Sequence, residues 1–565
     1  MEKTSIVKSA CWAAYGDALG FMTELGDEST VKWRTGQSYV YKLQKWRRQI
    51  GGRSGVITQL PVGCYSDDTQ LRLATGRAIK SDGYFDVEAF AKVELPVWLS
   101  YALGAGSGTK ASVDNLTRGD VNWFSNFFSR RGIDYFKVGG NGGAMRIQPH
   151  VWKGVYNSNK SEIFIDVVRN VITTHGHPRA VYGALFHAAV LEFVLREGKV
   201  PAPTECIEII EDIKKTPKLV SKDPDLASFW LPAWESQGKT DFSKATDEVV
   251  EELRECIIEA RKILENPEGS SEKCYRCLME KLGGFDKESR GSGVITTVMA
   301  WFMALFWQEE GASKCIQIVG NTLGSDTDTI GSMLGALIGP LAEDLPPEEV
   351  MDQVYIESQA YYLASVGDDA NCRDFSYPDL SKWRPPKYQV DSLFSYEQNL
   401  IVAGLGFAEP SSEVLKARGS DRYSFQWLKL EIGQTIFIKR RSQLAEYQSL
   451  PDVLSAQSIY NDSFMDFNKE KDGLVYGDQM ARSSIAKNRK LVESGRDTLN
   501  ERNGETPSKS IDELTTEAIK SGFDESVIGK HITYLLGERE KIEDVVAYTS
   551  IIAKAWLARK NKRRG

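Results

Sequence analysis

The chain of 565 residues holds only five histidines and eight cysteines, and both shortages narrow its chemistry. The cysteines, at positions 11, 64, 206, 256, 274, 277, 315 and 372, are sparse and irregularly spaced. That excludes a disulfide framework of the secreted type and points to a reducing compartment. Cys274 and Cys277 have C-x-x-C spacing, but no second pair or H-x-x-x-H follows, and a tetrahedral zinc site needs four ligands. Two unrelated thiols on one helix is the plainer reading. No apolar run approaches the roughly 20 residues that span a bilayer. The stretch from Ile6 to Leu19 is broken by Lys8 and Asp17 and lacks a cleavage-site pattern, so neither a signal peptide nor a membrane partner is expected. With 70 Lys and Arg against 78 Asp and Glu, the net charge of −8 argues against a general nucleic-acid-binding surface. Nucleic acid then enters only as a modified substrate, and a cytoplasmic location is expected.

Apolar content of 41% and charged content of 26% are those of a globular protein, and the length favours more than one domain. To about residue 365 the pattern is helical. Ile6, Val7, Ala10, Cys11, Ala14, Ala18 and Leu19 form one stripe, and Leu71, Ala74, Ala78 and Ile79 another. Ile330, Met333, Leu334, Leu337, Ile338 and Leu341 form a third, with Gly331, Gly335 and Gly339 four apart on another face, where a second helix can approach closely. Segments 161–197, 246–265 and 293–319 are further helices. The Gly-rich stretch 266–292 reads as a loop-rich interruption, and a boundary falls near 368–395, among Pro378, Pro385 and Pro386. Segment 423–439 fits either a strand pair or an irregular helix. Residues 467–508 read as a polar connection, helical pattern returns from Ser510, and the chain ends in a basic run from Arg559 to Arg564. The expected division is 1–390, all-α, with insertions around 200–290, and an accessory, mainly helical region over 391–565 that could select the acceptor, oligomerise the chain or dock a partner.

Two acidic clusters carry the chemistry: Ser66-Asp67-Asp68-Thr69 and Ser325-Asp326-Thr327-Asp328-Thr329, each running into an apolar helical pattern. One such cluster alone is more often just a helix cap, since Ser, Thr and Asp accept from free N–H groups there. Two clusters offer more oxygens than capping uses. Carboxylates held close together repel unless a cation joins them, and carboxylate and hydroxyl oxygens suit hard Mg²⁺ or Mn²⁺. Asp17, inside an apolar stripe, needs partners if buried, and Glu24 follows on a loop. The segment Gly139-Gly140-Asn141-Gly142-Gly143-Ala144-Met145-Arg146 has free N–H groups suited to a phosphate, without the Gly-Lys-Ser/Thr ending of a P-loop. The segment Gly104–Lys110 lacks that ending too. His175 reads equally as a substrate contact or a satisfied polar residue.

In order and spacing these motifs resemble the ADP-ribosylglycohydrolase family, which includes dinitrogenase reductase-activating glycohydrolase. The matching segments are Gly16–Gly20 with Glu24, Ser66–Thr69, Gly140–Arg146, Thr174-His175 and Gly324–Gly331. Ser66 stands where the family usually has Thr. The resemblance covers roughly residues 1–365 and implies an orthogonal helical bundle. It also implies two Mg²⁺ (or Mn²⁺) ions held by Ser66, Asp67, Asp68, Asp326, Asp328 and Thr329. Asn141, Gly142, Gly143, Ala144 and Met145 would hold the diphosphate and ribose, with His175 and Asp17 completing the substrate pocket and Glu24 or Asp68 acting on the water. The expected activity is hydrolysis of the bond between ADP-ribose and an acceptor: a protein side chain, a nucleobase or a small molecule. The alternatives are a binuclear-metal hydrolase of another nucleotide or ADP-ribose derivative, or an ADP-ribose-binding module without catalysis.

Overall fold

A computed structural model describes residues 2–130, 132–156, 159–267, 269–366, 374–446, 511–521, 523–539 and single positions between 545 and 552. The expected polar connection at 467–508, Ser510, Cys372 and the terminal basic run lie outside the described residues.

Helix α1 (Glu2–Phe21) is buried on nearly every face, which its apolar stripe and small residues allow. Helix α2 (Glu28–Thr35) is capped by the Asp27 side chain and stopped by Gly36, whose φ of 80° closes its last turn. A hairpin of β1 (Trp46–Ile50) and β2 (Val56–Leu60) follows, then α3 (Asp67–Arg77). The expected segment 161–197 is two helices, α4 (Lys160–Ile172) and α5 (Pro178–Glu197), because Gly176 and Pro178 break the run. By length and composition α5 is apolar enough to cross a membrane, but 89% of its apolar window is buried within the protein, as in a core helix. Helix α6 (Phe242–Glu265) matches the expected 246–265. The loop-rich reading of 266–292 is corrected in part: Ser271–Lys281 forms α7, burying Cys274, Tyr275, Leu278 and Met279 on one face. Its two cysteines are free thiols.

Helices α8 (Gly293–Ala304), α9 (Ala312–Gly320), α10 (Thr327–Ile338) and α11 (Gln353–Ala364) complete the bundle. The glycine row on α10 brings α1 to backbone contact. A Cβ at Gly16 would fall 2.0 Å from the Gly331 carbonyl oxygen, one at Gly335 2.1 Å from that of Trp12, and one at Gly20 2.3 Å from that of Thr327. No other residue fits there.

The helical bundle is the fold expected for residues 1–390. Beyond it, residues 393–446 form strands, and 423–439 resolves as a strand pair. Strands β3 (Leu393–Tyr396), β4 (Asn399–Val402), β5 (Gly406–Pro410), β6 (Leu415–Lys416), β7 (Tyr423–Leu430), β8 (Thr435–Arg441) and β9 (Ala445–Glu446) make one sheet. Its order is β8-β7-β5-β4-β3-β9, with β6 beside β7. The accessory region expected to be mainly helical therefore contains a sheet before its helices.

Two compact units divide the chain between residues 477 and 478, so the expected boundary at 390/391 falls inside the first. The sheet is tied to the bundle by buried polar contacts. Arg77 makes a bidentate ion pair with Glu94 at 2.8 Å and donates to Gln434 Oε1 at 2.8 Å, both ions being fully buried. Asp352 accepts from Thr435, Lys429 and Tyr65. In the second unit, α12 (Ile511–Lys520) and α13 (Glu525–Arg539) bury Leu514, Ala518 and Leu535 with Tyr548 and Ile552.

The close contact of α1 and α10 is testable. Gly335→Ala is expected to destabilise the protein by about 3 kcal/mol, the upper end for an overpacked core, measured as a lower urea midpoint. An unchanged midpoint would contradict this packing.

Candidate active site

Asp17 organises one side of the site. Fully buried near the end of α1, its Oδ1 accepts from the Ser66 N–H at 2.9 Å. Its Oδ2 accepts from the Thr69 N–H at 2.9 Å and the Thr69 hydroxyl at 2.5 Å. This carboxylate thus fixes the first turn of α3, where Ser66 caps through its hydroxyl to the Asp68 N–H. Expected to complete the substrate pocket, Asp17 here spends both of its oxygens on the 66–69 backbone and hydroxyl. Arg72 balances it, donating to Thr69 Oγ1 and Ser332 Oγ at 2.7 Å.

The second cluster begins α10. Thr327 donates to the Gly20 carbonyl at 2.8 Å, and the Leu25 N–H donates to the Ser325 carbonyl, so the α1 end and the 325–329 turn are one construction. The two clusters meet. The Thr329 hydroxyl lies 3.4 Å from Asp68 Oδ1 across a separation of 261 residues. Asp68, Asp67, Asp326 and Asp328 interact through their charges.

Burial is the first cause of an upward shift in all four carboxyls. Asp67 is pushed to about 7, Glu24 and Asp17 adding to burial. Asp68 is raised well above the usual range by burial, then by Asp17, Asp67 and Asp326. Asp328 is raised well above it by burial, then Glu24, Asp326 and Asp68, and Asp326 is raised chiefly by burial. Such a set gains most from a positive charge placed among it.

Donor chemistry supports the same conclusion. Asp68 Oδ2 is a buried oxygen with no hydrogen-bond partner, in a position where an unsatisfied acceptor is costly. Among the described residues no group of three His, Cys, Asp or Glu side chains is drawn together tightly enough to form a ready-made coordination sphere. The oxygens at hand are instead mixed, four carboxylates with the Ser66 and Thr329 hydroxyls, a set that fits a hard dication.

Around this centre the remaining expected residues fall into place. Asn141 donates to Asp326 Oδ2 at 2.9 Å, and its own N–H donates to the Gly291 carbonyl. Gly142 lies under His175, and a Cβ there would fall 3.0 Å from both His175 Cε1 and Thr109 Oγ1. Gly143, Ala144 and Met145 turn into a short 3₁₀ segment, with Ala144 and Met145 buried. His175 is buried, its Nδ1 2.7 Å from the Thr174 hydroxyl. Burial, then Arg146, pushes its pKa down to about 3, so the ring is neutral at ordinary pH. As a neutral ring it offers one nitrogen that donates and one that accepts a hydrogen bond. Glu24 sits at the edge, its Oε2 bound by Arg48 at 2.7 Å with both side chains partly exposed.

Several neighbours carried no readable sequence signal. Asp67 Oδ1 accepts from the Ala105 N–H at 2.8 Å, and a Cβ at Gly104 would lie 2.1 Å from that oxygen. The 104–110 segment, unpromising as a phosphate loop, is thus a cradle for Asp67. Arg34 donates to the Glu24 carbonyl at 2.9 Å, and burial, then Arg48, lowers its pKa to about 10. Arg48 and Arg34 were hidden because nothing in their spacing couples them to Glu24. The hairpin brings Arg48 to the Glu24 carboxylate, and α2 brings Arg34 to the Glu24 carbonyl.

In this helical bundle two acidic turns far apart in the chain close on one centre, beside a glycine-rich loop and a buried histidine. The family model for ADP-ribosylglycohydrolase matches residues 10–369, and the chain belongs to that family, whose members act on ADP-ribose derivatives. A solved chain described as an ADP-ribosylglycohydrolase-related protein complex is 18% identical, with 65% of this chain and 98% of that one covered and a TM-score of 0.38. No curated protein matches.

Two outcomes follow from this geometry. Asp17→Asn replaces an acceptor by an NH₂ group and leaves a buried donor of the 66–69 turn unpaired, so thermal denaturation should show a loss of about 1–3 kcal/mol. His175→Gln should weaken ADP-ribose binding by calorimetry. Because His175 is neutral above about pH 3, the substitution should leave the shape of any activity–pH profile above pH ~5 unchanged. A lost limb in that range would show that the ring titrates after all.

Proposed function

We propose that the protein hydrolyses the glycosidic bond between C1″ of ADP-ribose and an acceptor, reversing ADP-ribosylation with two Mg²⁺ or Mn²⁺ ions bound. The observation that carries this reading is the meeting of Asp68 and Thr329 across 261 residues, with an unpartnered buried carboxylate oxygen between the clusters. Ser66, Asp67, Asp68, Asp326, Asp328 and Thr329 would hold the cations. When bound, such ions supply positive charge that orients vicinal ribose hydroxyls and makes water more acidic.

The chain's own groups do the rest. Asn141 is fixed at Asp326, so a ribose diphosphate on the 141–145 loop would lie against the carboxylate centre. Backbone N–H groups of a glycine-rich turn suit the diphosphate, and Gly142 provides the room beside His175. In the reaction the water oxygen bonds to C1″, the bond from C1″ to the acceptor breaks with its electron pair leaving on the acceptor, and the water's proton goes to a base. The transition state resembles an oxocarbenium ion, which nearby carboxylates stabilise. Of the two candidates, Glu24 suits the base: it is partly exposed, and Arg48 engages one carboxylate oxygen, leaving the other to take a proton. Asp68 is buried among other acids and suits cation binding.

Release of free ADP-ribose from a modified acceptor, identified by mass, tests the reading. Asp326→Ala and Asp328→Ala should each lower turnover by at least about a thousandfold, the scale of losing a principal electrostatic group. EDTA should abolish release, and added Mg²⁺ or Mn²⁺ should restore it. Glu24→Gln should lower kcat with little change in KM. Full activity in excess chelator, or phosphate or a nucleoside monophosphate as product, would overturn the proposal.

A further inference from the structure

From Ser29 to Ser66 the chain contains no acidic residue and seven basic ones: Lys32, Arg34, Lys42, Lys45, Arg47, Arg48 and Arg53. In a chain of net charge −8 this is a local reversal of sign. Arg34 and Arg48 are committed to Glu24. The other five side chains are exposed and, among the described residues, form no salt bridge.

These residues lie on one continuous stretch of α2, the 36–45 loop and the β1–β2 hairpin. Arg47 donates to the Trp33 carbonyl at 2.9 Å, and its guanidinium lies 5.2 Å from the Trp33 ring. Gln44 donates to the Thr35 carbonyl at 3.1 Å, tying the 36–45 loop to α2. Exposed aromatic rings alternate with the cations along this stretch: Trp33 is 40% exposed and Tyr41 61%, with the Tyr39 ring 4.4 Å from that of Tyr41. At the hairpin tip the sheet adds exposed Lys416, Arg418 and Arg422, the Arg418 N–H donating to the Gly55 carbonyl at 3.0 Å. The acids that face this surface are Asp27 and Glu28 at the start of α2, Glu348, which accepts from the Leu43 N–H, Glu272, whose charge acts on Tyr39, and Asp421. Through Arg48 and Arg34 the surface runs directly into the Glu24 edge of the site.

We propose that this surface binds a single-stranded nucleic acid, so that the acceptor freed by the reaction is a nucleotide within such a strand. The inference rests on the hydrolase reading for the reaction and on the surface alone for the binding. Cations that track a phosphate backbone, interleaved with exposed rings on which bases stack, are the two elements of sequence-tolerant single-strand binding. An acidic polypeptide would use the charges and leave the rings idle.

The test is fluorescence anisotropy of a short labelled single-stranded oligonucleotide, unmodified, with the full chain, and with poly-glutamate as competitor. Between about 50 and about 200 mM salt, five phosphate contacts give a log–log slope of about −3.5. Lys42→Glu with Lys45→Glu should weaken binding at least about tenfold and flatten the slope, whereas Trp33→Ala should weaken it about tenfold at unchanged slope. Equal melting temperatures confirm that the variants fold. Absence of binding by the wild type at low salt, or binding that both variants leave intact, overturns the proposal. Poly-glutamate competing as well as the oligonucleotide reassigns the surface to acidic proteins and overturns it equally. No turnover enters this measurement, so a protein that binds the strand yet releases no ADP-ribose would refute the hydrolase reading alone.

Discussion

The structure depends on the backbone-to-backbone contact of α1 with α10. Gly16, Gly20, Gly331 and Gly335 let two helices touch without intervening side chains, each added Cβ meeting main-chain atoms at 2.0–2.6 Å. Because the contact is so close, the α1 end carrying Asp17 and Glu24 is held against the turn that carries Asp326 and Asp328. Thr327 and Ser325 fasten that turn to the Gly20 and Leu25 main chain. Asp17 then passes the register on to the 66–69 turn by three hydrogen bonds. A shift of either helix would separate the acidic clusters.

Holding four carboxylates in a buried space costs stability, and the surroundings show how it is limited. Helix N-termini and backbone donors accommodate Asp67 and Asp328, Arg72 offsets Asp17 and Asp68, and raised pKa values express the remaining strain. Asp68 Oδ2, buried without a hydrogen-bond partner, is where this cost is left uncompensated by the protein's own donors.

Much of this was legible in the sequence. The acidic clusters, the glycine row and the helical stripes are short-range patterns, and each maps onto one element. The glycine spacing at 331, 335 and 339 correctly implied a close helix. The helix at 271–281 was obscured because glycines and polar residues surround its short apolar face. The strands of 393–446 were ambiguous because β7 is buried along nearly its whole length, Ser424 to Leu428 in succession, so neither a period of two nor one of 3.6 stands out.

By itself the sequence determined which residues bear charge, that residues to about 365 are mainly helical, and that two oxygen-rich turns exist, since these follow from local chemistry. Tertiary structure alone decided that Asp17 supports the first turn of α3, that Gly104 and Ala105 cradle Asp67, and that Arg48 reaches Glu24 from a hairpin. It also decided that Gln434, in the sheet outside the 10–369 family match, accepts from the buried Arg77 of the bundle's Arg77–Glu94 ion pair. The physical reason is the same in each case. A buried hydrogen bond between residues far apart in the chain is selected by packing geometry, which no local pattern of residue types encodes.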